Sequence, residues 1–300
     1  MRVMEFLNYL ISGISLGSIY AIIALGYTMV YGIIRLINFA HGDFIMVGGY
    51  TLFYLMPVFM QYGLPPWLAV VGALILCAVV GVLVELAAYR PVRRRGTGMS
   101  ALITAIAVSL VMENLAQALF TANKQAFTFN FFDLPSIKFG SVSIDPTTLV
   151  TIGISVVLMV GLTLFVKKTS MGRAMRAVSE DKTAAIVTGV NVNKTVLVTF
   201  GIGAALASFA ALAYCDTVNY VAPTIGATLG LKAFVSAVLG GIGSLPGAMV
   251  GGLVVGMLES IAKAIPGVAN YSDAIVYLAL IVVLLVKPAG LLGKNVREKV

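Results

Sequence analysis

Two neighbouring residues, His41 and Asp43, have side chains that could carry acid–base chemistry. Histidine titrates near neutral pH, so a His–Asp pair is a candidate general base or proton relay. If the segment is helical, however, residues two positions apart point in different directions and do not face one group. No serine has the glycine-flanked turn of a hydrolase nucleophile around it. We therefore expect His41 and Asp43 to serve as turn and capping residues, with no catalytic residue in the chain and no enzymatic activity.

Metal and nucleotide chemistry are also disfavoured by the residue types present. The chain has one histidine and two cysteines, Cys77 and Cys215, and both cysteines lie within or at the end of apolar runs. We expect them to be buried and expect no His/Cys metal site. The stretch GLLGKN at 290–295 lacks the spacing and the hydroxyl of a phosphate-binding loop. No cofactor is expected on this chain, and any ATP used must be bound by another chain.

The longest charged interval, 167–194, is the next candidate for a functional site. Its sequence is KKTSMGRAMRAVSEDKTAAIVTGVNVNK, and only two of its residues are acidic. We call it the basic segment. Apolar stretches on both sides are each about long enough to cross a bilayer. Short loops rich in lysine and arginine stay in the cytoplasm, so the basic segment is predicted to be cytoplasmic.

The basic segment is predicted to contain two short helices. The first covers about 171–178 and carries Arg173 and Arg176 one turn apart. Ser179 is expected to cap the second helix, because serine is a favoured N-cap residue. Glu180 and Asp181 are expected to place negative charge on the first turn of the second helix. Gly189 is expected to end that helix in left-handed conformation, and Asn193 is expected to cap the next span. Two capped helices suggest a docking surface, and a plain solvated connection is the alternative.

The composition identifies an integral membrane protein. The chain is 60% hydrophobic and 11% charged, with a mean hydropathy of +1.01, whereas soluble domains are about a quarter charged. Long apolar runs favour a helix bundle over a β-barrel. The net charge of +8 does not indicate a nucleic-acid partner, because most basic residues fall at predicted inner connections and face lipid headgroups.

The apolar runs predict an all-α, polytopic transmembrane bundle of about eight or nine spans, forming a single domain over residues 1–300. Gly13 and Gly17 in the first span are expected to allow close approach of another backbone. Between the fourth and fifth spans, 122–146 is predicted to be an outer connection with a short β-hairpin. The distribution of basic residues places the amino terminus outside and the carboxyl terminus inside.

Two glycine-rich stretches are predicted to interrupt helices. The second span, about 44–59, contains Gly48 and Gly49 and is predicted to be broken or re-entrant. The stretch GGIGSLPG at 240–247 must form a turn, because proline and clustered glycines do not continue a helix. Interrupted spans in opposite halves of a transporter can mark an inverted repeat with a central pathway. The candidate pathway or broken-helix positions are Asn38, His41, Asp43, Glu113, Gly240, Gly241 and Gly243.

Several charged residues fall inside the predicted spans, where a charge costs a few kcal/mol unless it is paired or hydrated. Glu113, with Asn114 beside it, lies deepest in a span. It either faces a hydrated pathway or forms an interhelical hydrogen bond or ion pair. Lys232 and Glu259 either extend to opposite surfaces or pair within the bundle, and the sequence leaves both alternatives open.

Several separate motifs resemble the permease subunits of bacterial ABC importers for branched-chain amino acids, and the H-type subunit in particular. These motifs are NFAHGD at 38–43, GRAMRAV at 172–178 with Asp181 and Ala184–Ala185 behind it, GVN at 189–191 and VLGGIGSLPGA at 238–248. They are spread over nearly the whole chain, so the resemblance is specific.

The resemblance implies an ABC-importer permease fold in the bacterial inner membrane and a set of partner chains. These partners are a second permease subunit (M-type, or a second copy), two ATPase subunits that bind ATP and Mg, and a periplasmic amino-acid-binding protein. It also implies that the basic segment docks on the ATPase. The residues to which this role transfers are Gly172, Arg173, Arg176, Glu180, Asp181, Ala184, Ala185 and Gly189. The alternative function is a secondary amino-acid transporter driven by an ion gradient, and an intramembrane hydrolase using His41 or Asp43 is a more distant one.

Overall fold

The computed structural model describes residues 3–96, 98–129, 131, 137–139 and 142–293. Helices account for most of these residues, as the composition predicts. The α-helices are α1 Val3–Ile34, α2 Asp43–Gln61, α3 Trp67–Val84, α4 Arg90–Arg95, α5 Gly98–Leu119, α6 Pro146–Lys168, α7 Ser170–Glu180, α8 Lys182–Val187, α9 Val192–Val218, α10 Ile225–Gly240, α11 Leu245–Ala264 and α12 Ser272–Val286. Short 3-10 turns, Phe39–His41 and Ala269–Tyr271, precede α2 and α12, and a π-helical turn, Glu85–Tyr89, joins α3 to α4.

Eight helical segments among the described residues are long and apolar enough to cross a membrane, and α10 is a shorter apolar helix. This confirms the predicted polytopic bundle of about eight or nine spans. With 16 residues, α10 rises about 24 Å, which is less than the roughly 30 Å of bilayer hydrocarbon. A crossing by α10 therefore also needs the strand and turn that precede it.

Helices α1 and α9 form the centre of the bundle. Most of their residues are buried, whereas few residues of α5, α6 and α12 are buried within the chain. Glycines bring α1 and α11 into close contact, as the sequence predicted for Gly13 and Gly17: a Cβ on Gly17 would lie 2.8 Å from Leu253 Cα, and one on Gly256 would overlap the Gly17 backbone. Small residues at this crossing let two membrane helices pack backbone to backbone.

The prediction of a broken second span is wrong in its position. Helix α2 runs without interruption through Gly48 and Gly49. These glycines lie inside a helix because their lack of a side chain lets neighbouring segments pack closely against it. A Cβ on Gly48 would lie 2.7 Å from Ser208 Cα, and one on Gly49 would lie 3.0 Å from the Val221 side chain. The irregular backbone lies before α2, at residues 35–42, where the chain turns from α1 into the interior of the bundle.

The predicted β-hairpin and the predicted glycine turn are both present. Strands β2 (Ile137–Phe139) and β3 (Val142–Ile144) pair in antiparallel orientation, with Lys138 opposite Ser143. A second small sheet pairs β1 (Gln125–Ala126) with β4 (Tyr220–Val221), also antiparallel. The turn between α10 and α11 places Gly241 at φ 109° and Gly243 at φ 94°, which L-residues with side chains rarely adopt.

Candidate coupling segment and buried polar cluster

The first helix of the basic segment, α7, is amphipathic and packs against the end of α6. Thr169 caps it, because its hydroxyl accepts a hydrogen bond from the Gly172 amide at 3.0 Å. Gly172 lies so close to the Val166 and Phe165 carbonyls that a side chain there would overlap them. Met175 and Val178 are buried, on the same side of the helix as Gly172, whereas Arg173 and Arg176 are exposed.

The junction between α7 and α8 corrects the prediction that Ser179 caps the second helix. The cap is Asp181, whose Oδ1 accepts hydrogen bonds from the amides of Thr183 at 2.7 Å and Ala184 at 3.0 Å. Ser179 remains inside α7, where its hydroxyl donates to the Arg176 carbonyl. Glu180 is the last residue of α7 and does not lie on the first turn of α8. An N-cap residue has extended backbone. Of Ser179, Glu180 and Asp181, only Asp181 has it, with φ −150° and ψ 112°, because the other two belong to α7.

The end of the basic segment is stabilised partly as predicted. Gly189 adopts φ 83° and ends α8 in left-handed conformation, which confirms the prediction. The cap of α9 is Asn191, whose side-chain oxygen accepts from the Lys194 amide at 3.0 Å, and not Asn193. Asn193 instead accepts a hydrogen bond from Arg93 at 3.3 Å. The basic segment is therefore linked to the end of the third span.

The last residues of α8 expose apolar side chains to solvent. Ala185 is buried, whereas Ala184, Ile186 and Val187 are exposed, Ile186 at 57% and Val187 at 83%. Ile186 and Val187 are not among the candidate site residues that the sequence indicates. Their place on a short capped helix outside the spans is the signal that could have identified them as surface contacts.

A second group of predicted residues meets inside the bundle and forms what we call the buried polar cluster: Asn38, His41, Asp43 and Tyr89. The Tyr89 hydroxyl donates a hydrogen bond to Asn38 Oδ1 at 2.5 Å. His41 packs against Gly26 and the Tyr27 ring, with ring centroids 4.5 Å apart. The nitrogens of His41 and the carboxylate oxygens of Asp43 are buried, and the polar groups that interact with them include the Ile23 backbone and the Ser109 side chain. The amide nitrogen of Asn38 has no hydrogen-bond partner among the described residues, which is costly for a buried polar group.

Two helix N-termini approach each other at this cluster. Asp43 is the first residue of α2, and Gly42 before it touches α10 at Gly226 and Gly230 so closely that a side chain on Gly42 would overlap the Gly226 carbonyl. The positive ends of α2 and α10 are therefore near the Asp43 carboxylate, which they stabilise. This is the geometry that interrupted membrane helices create at the centre of some transporters.

Of the other predicted pathway positions, Glu113 lies near the buried polar cluster and the glycines do not. Glu113, half-buried on α5, accepts a hydrogen bond from Gln117 at 3.4 Å and lies close enough to Asp43 for their charges to interact. Gly240 is the last residue of α10, Gly241 and Gly243 lie in the turn between α10 and α11, and Gly241 packs against Gly293 and Ala289. The glycines therefore shape the end of the bundle.

A family model described as the permease component of branched-chain amino acid transport systems matches residues 9–284. The chain belongs to this family. The permease is 40% identical over 304 residues to the high-affinity branched-chain amino acid transport system permease protein LivH of Salmonella typhimurium, with 98% of each chain covered. It is 40% identical over 310 residues to LivH of Escherichia coli K12, again with 98% of each covered. It is 38% identical over 307 residues to BraD of Pseudomonas aeruginosa, covering 100% of the permease and 99% of the relative.

Two of the charged residues that the sequence placed inside the spans of the permease, Lys232 and Glu259, are paired. The Lys232 amine lies 2.8 Å from Glu259 Oε1 and 2.8 Å from Asp273 Oδ1. Lys263 contacts the same Glu259 oxygen at 2.7 Å, and the Tyr20 hydroxyl donates to Oε2 at 2.7 Å. Of the two alternatives, pairing within the bundle is therefore correct.

A second ionic cluster lies where α3 continues into α4 of the permease. Glu85 is fully buried, 2.6 Å from Arg93 and 3.4 Å from Arg90. Because Arg93 also donates to Asn193, this cluster connects the third span with the start of α9. The connection was not predictable from the sequence, because Glu85 and Asn193 are far apart along the chain.

Proposed function

We propose that the permease forms half of the translocation pathway of an ATP-driven importer for branched-chain amino acids of the leucine, isoleucine and valine type. Its family, the names of its relatives and its multi-pass helical bundle support this function. The proposed partners are a second permease subunit, two ATPase subunits and a periplasmic amino-acid-binding protein. ATP and Mg bind on the ATPase subunits.

The observation that carries the coupling part of the proposal is the exposed apolar end of α8. Ile186 and Val187 are presented to solvent on a helix that Asp181 caps and Ala185 anchors. Arg173 and Arg176, on the preceding helix α7, are also exposed. An apolar centre with charged residues around it is the usual composition of a protein interface. We therefore assign Ile186 and Val187 to the contact with the ATPase, together with the exposed members of the predicted set: Arg173, Arg176, Glu180, Asp181, Ala184 and Gly189. The buried residues of that set, Gly172 and Ala185, hold the two helices in place.

The contacts of the basic segment explain how movement of an ATPase would reach the spans. Arg176 donates a hydrogen bond to the Lys167 carbonyl at 3.1 Å, which fixes α7 to the end of α6. Arg35 at the end of α1 donates to the Ser179 carbonyl at 3.1 Å. A displacement of α7 and α8 is thus passed to α1, α6 and α9. ATP-driven closure of the ATPase pair would then switch the two permease halves between outward and inward openings.

We place the translocation pathway beside the buried polar cluster and Glu113. The carboxylate of Asp43 interacts with Ser109 and Glu113 of α5, a helix of which few residues are buried within the chain. An intramembrane charge of this kind usually marks a hydrated pathway. No tight substrate site is required there, because a pump must release what it carries. The proposed orientation has the amino terminus in the periplasm and the basic segment and carboxyl terminus in the cytoplasm of the inner membrane.

Replacement of both exposed apolar residues tests the coupling directly. The variant Ile186→Ser with Val187→Ser should still insert and fold, because both side chains face solvent. Its co-purification with a phosphate-loop chain from native membranes should fall by tenfold or more, on the order of 1.4 kcal/mol of lost interface energy. ATP-dependent leucine uptake should fall with it.

The matched control replaces two exposed apolar residues in the turn after α2, Tyr62→Ser with Leu64→Ser. Recovery of the ATPase chain should be unchanged in this control. Equal recovery in both variants would refute the assigned contact. Uptake driven by a proton or sodium gradient, without any ATPase chain, would support the secondary-transporter alternative instead.

A further inference from the structure

A cavity of about 340 Å³ opens where several helices end on the side of the basic segment. The end of α1, α4 and the starts of α5 and α9 form one side of it, and the end of α7 and the first residue of α8 form the other. The residues that line it include three aliphatic and three basic ones: Ile34, Val178 and Val196, and Arg35, Arg93 and Lys182. A second cavity of about 490 Å³ shares Arg93 and Lys182 with it and continues towards Asn191.

The lining of the cavity combines two chemistries. The walls are aliphatic and come mainly from the ends of α1, α7 and α9. Basic groups are supplied by Arg35, Arg93 and Lys182, against one acidic residue, Glu180. Such a combination fits an amphiphile with a negatively charged head, because each part then meets surface of its own kind.

The basic groups retain binding capacity in the structure. Lys182 is exposed and forms no ion pair within the described part of the chain. Arg35 donates to a neutral carbonyl, that of Ser179. The Arg93 side chain is only 10% exposed; it is bound to Glu85 through one nitrogen, and its buried Nε has no hydrogen-bond partner among the described residues.

We propose that this cavity binds an anionic phospholipid, with its headgroup phosphate on Arg35, Lys182 and Arg93 and its acyl chains along the aliphatic walls. Basic pockets at the ends of membrane helices are suited to such headgroups. An acidic side chain of a partner protein would satisfy the basic groups but would leave the aliphatic walls uncovered. A lipid satisfies both, so the observations favour the lipid.

The bound lipid would add a second connection between the two sides of the cavity, beside the hydrogen bond that Arg35 donates to the Ser179 carbonyl. The lipid site itself does not depend on the proposed function, because it follows from the lining of the cavity. That the lipid belongs to the cytoplasmic leaflet rests on the proposed orientation. That it affects coupling rests on the role proposed for the basic segment.

Native mass spectrometry of the purified full-length chain tests the site. Bound phosphatidylglycerol and phosphatidylcholine are compared at equal added concentration. Each basic group near an anionic headgroup contributes about fivefold in affinity, so Arg35→Gln with Lys182→Gln should weaken phosphatidylglycerol binding about twenty-fivefold. Lys182→Gln alone should weaken phosphatidylglycerol binding about fivefold. Because Lys182 is exposed, this single variant should fold even if the double variant folds poorly.

The matched control is Lys167→Gln with Lys168→Gln, which removes two exposed positive charges of the basic segment outside the cavity. It should leave lipid binding within about twofold of the starting protein, since a surface charge in detergent retains no lipid by itself. Equal losses in the control and in the cavity variants would overturn the proposal. Equal binding of phosphatidylcholine, or full displacement of the lipid by millimolar inorganic phosphate, would also overturn it. The same holds if a segment of an ATPase chain occupies the cavity in the assembled complex.

Discussion

At the scale of single residues, Glu259 is the shared partner of three polar groups. It lies in the half of the bundle that faces the periplasm in the proposed orientation. It is buried, and its carboxylate contacts Lys232, Lys263 and Tyr20. Removal of one partner from a buried ion pair costs about 3–5 kcal/mol, because the other charge is left uncompensated. Asp273 still contacts Lys232, so we expect Glu259→Gln to cost about 3 kcal/mol, measured as a lower unfolding temperature in detergent.

Lys263→Gln provides the comparison for the same carboxylate. The Lys263 side chain is 48% exposed, and exposed ion pairs contribute about 0–1 kcal/mol. Its unfolding temperature should therefore stay close to that of the starting protein. If the two variants were destabilised equally, burial would not be what makes Glu259 important.

At the scale of helices and their caps, α8 depends on Asp181 and not on Ser179. Asp181→Ala removes the acceptor for two amides and should destabilise α8 by about 1 kcal/mol. Faster hydrogen exchange of the α8 amides would report this loss, and ATP-dependent uptake should fall because the contact surface is no longer fixed. Asp181→Asn retains a capping oxygen and should retain uptake. Ser179→Ala should leave exchange in α8 unchanged; faster exchange there would contradict the assigned cap.

Close helix crossings make a second prediction at this scale. A Cβ on Gly256 would overlap the Gly17 backbone, whereas a Cβ on Gly153 has nothing within 4 Å. Gly256→Ala should therefore separate α1 from α11 and cost about 1–3 kcal/mol through overpacking. Gly153→Ala, inside α6, should be neutral or stabilise by up to about 1 kcal/mol, since alanine favours a helix. Thermal unfolding of both variants, under identical detergent conditions, measures the difference.

Length and apolarity were enough to predict the spans, because a bilayer demands about twenty apolar residues whatever their neighbours. The choice between Ser179 and Asp181 as a cap was not predictable, because both have the required side chain and the burial of Val178 keeps α7 helical past Ser179. The glycines of α2 suggested a break for a similar reason: their local preference is opposed by packing against α9. The pairing of Lys232 with Glu259 joins two helices, and no local pattern reports it.

At the scale of the whole molecule, the proposed orientation makes a prediction for chemical labelling. Both native cysteines, Cys77 and Cys215, are buried, so a membrane-impermeant thiol reagent should give little background. Single cysteines at Tyr62 and Tyr271, which are 75% and 66% exposed, should be labelled in right-side-out vesicles. A cysteine at Val187 should be labelled only in inside-out vesicles.

These three sites also decide how the short helix α10 is placed. Tyr62 and Tyr271 lie on the same side only if α10 crosses the membrane together with its preceding strand, because an odd number of crossings would otherwise separate them. Opposite labelling of the two would mean that α10 stays on one side, giving eight crossings. Labelling of Val187→Cys from outside would remove the basic segment from the compartment that contains ATP, and the importer proposal would fail with it.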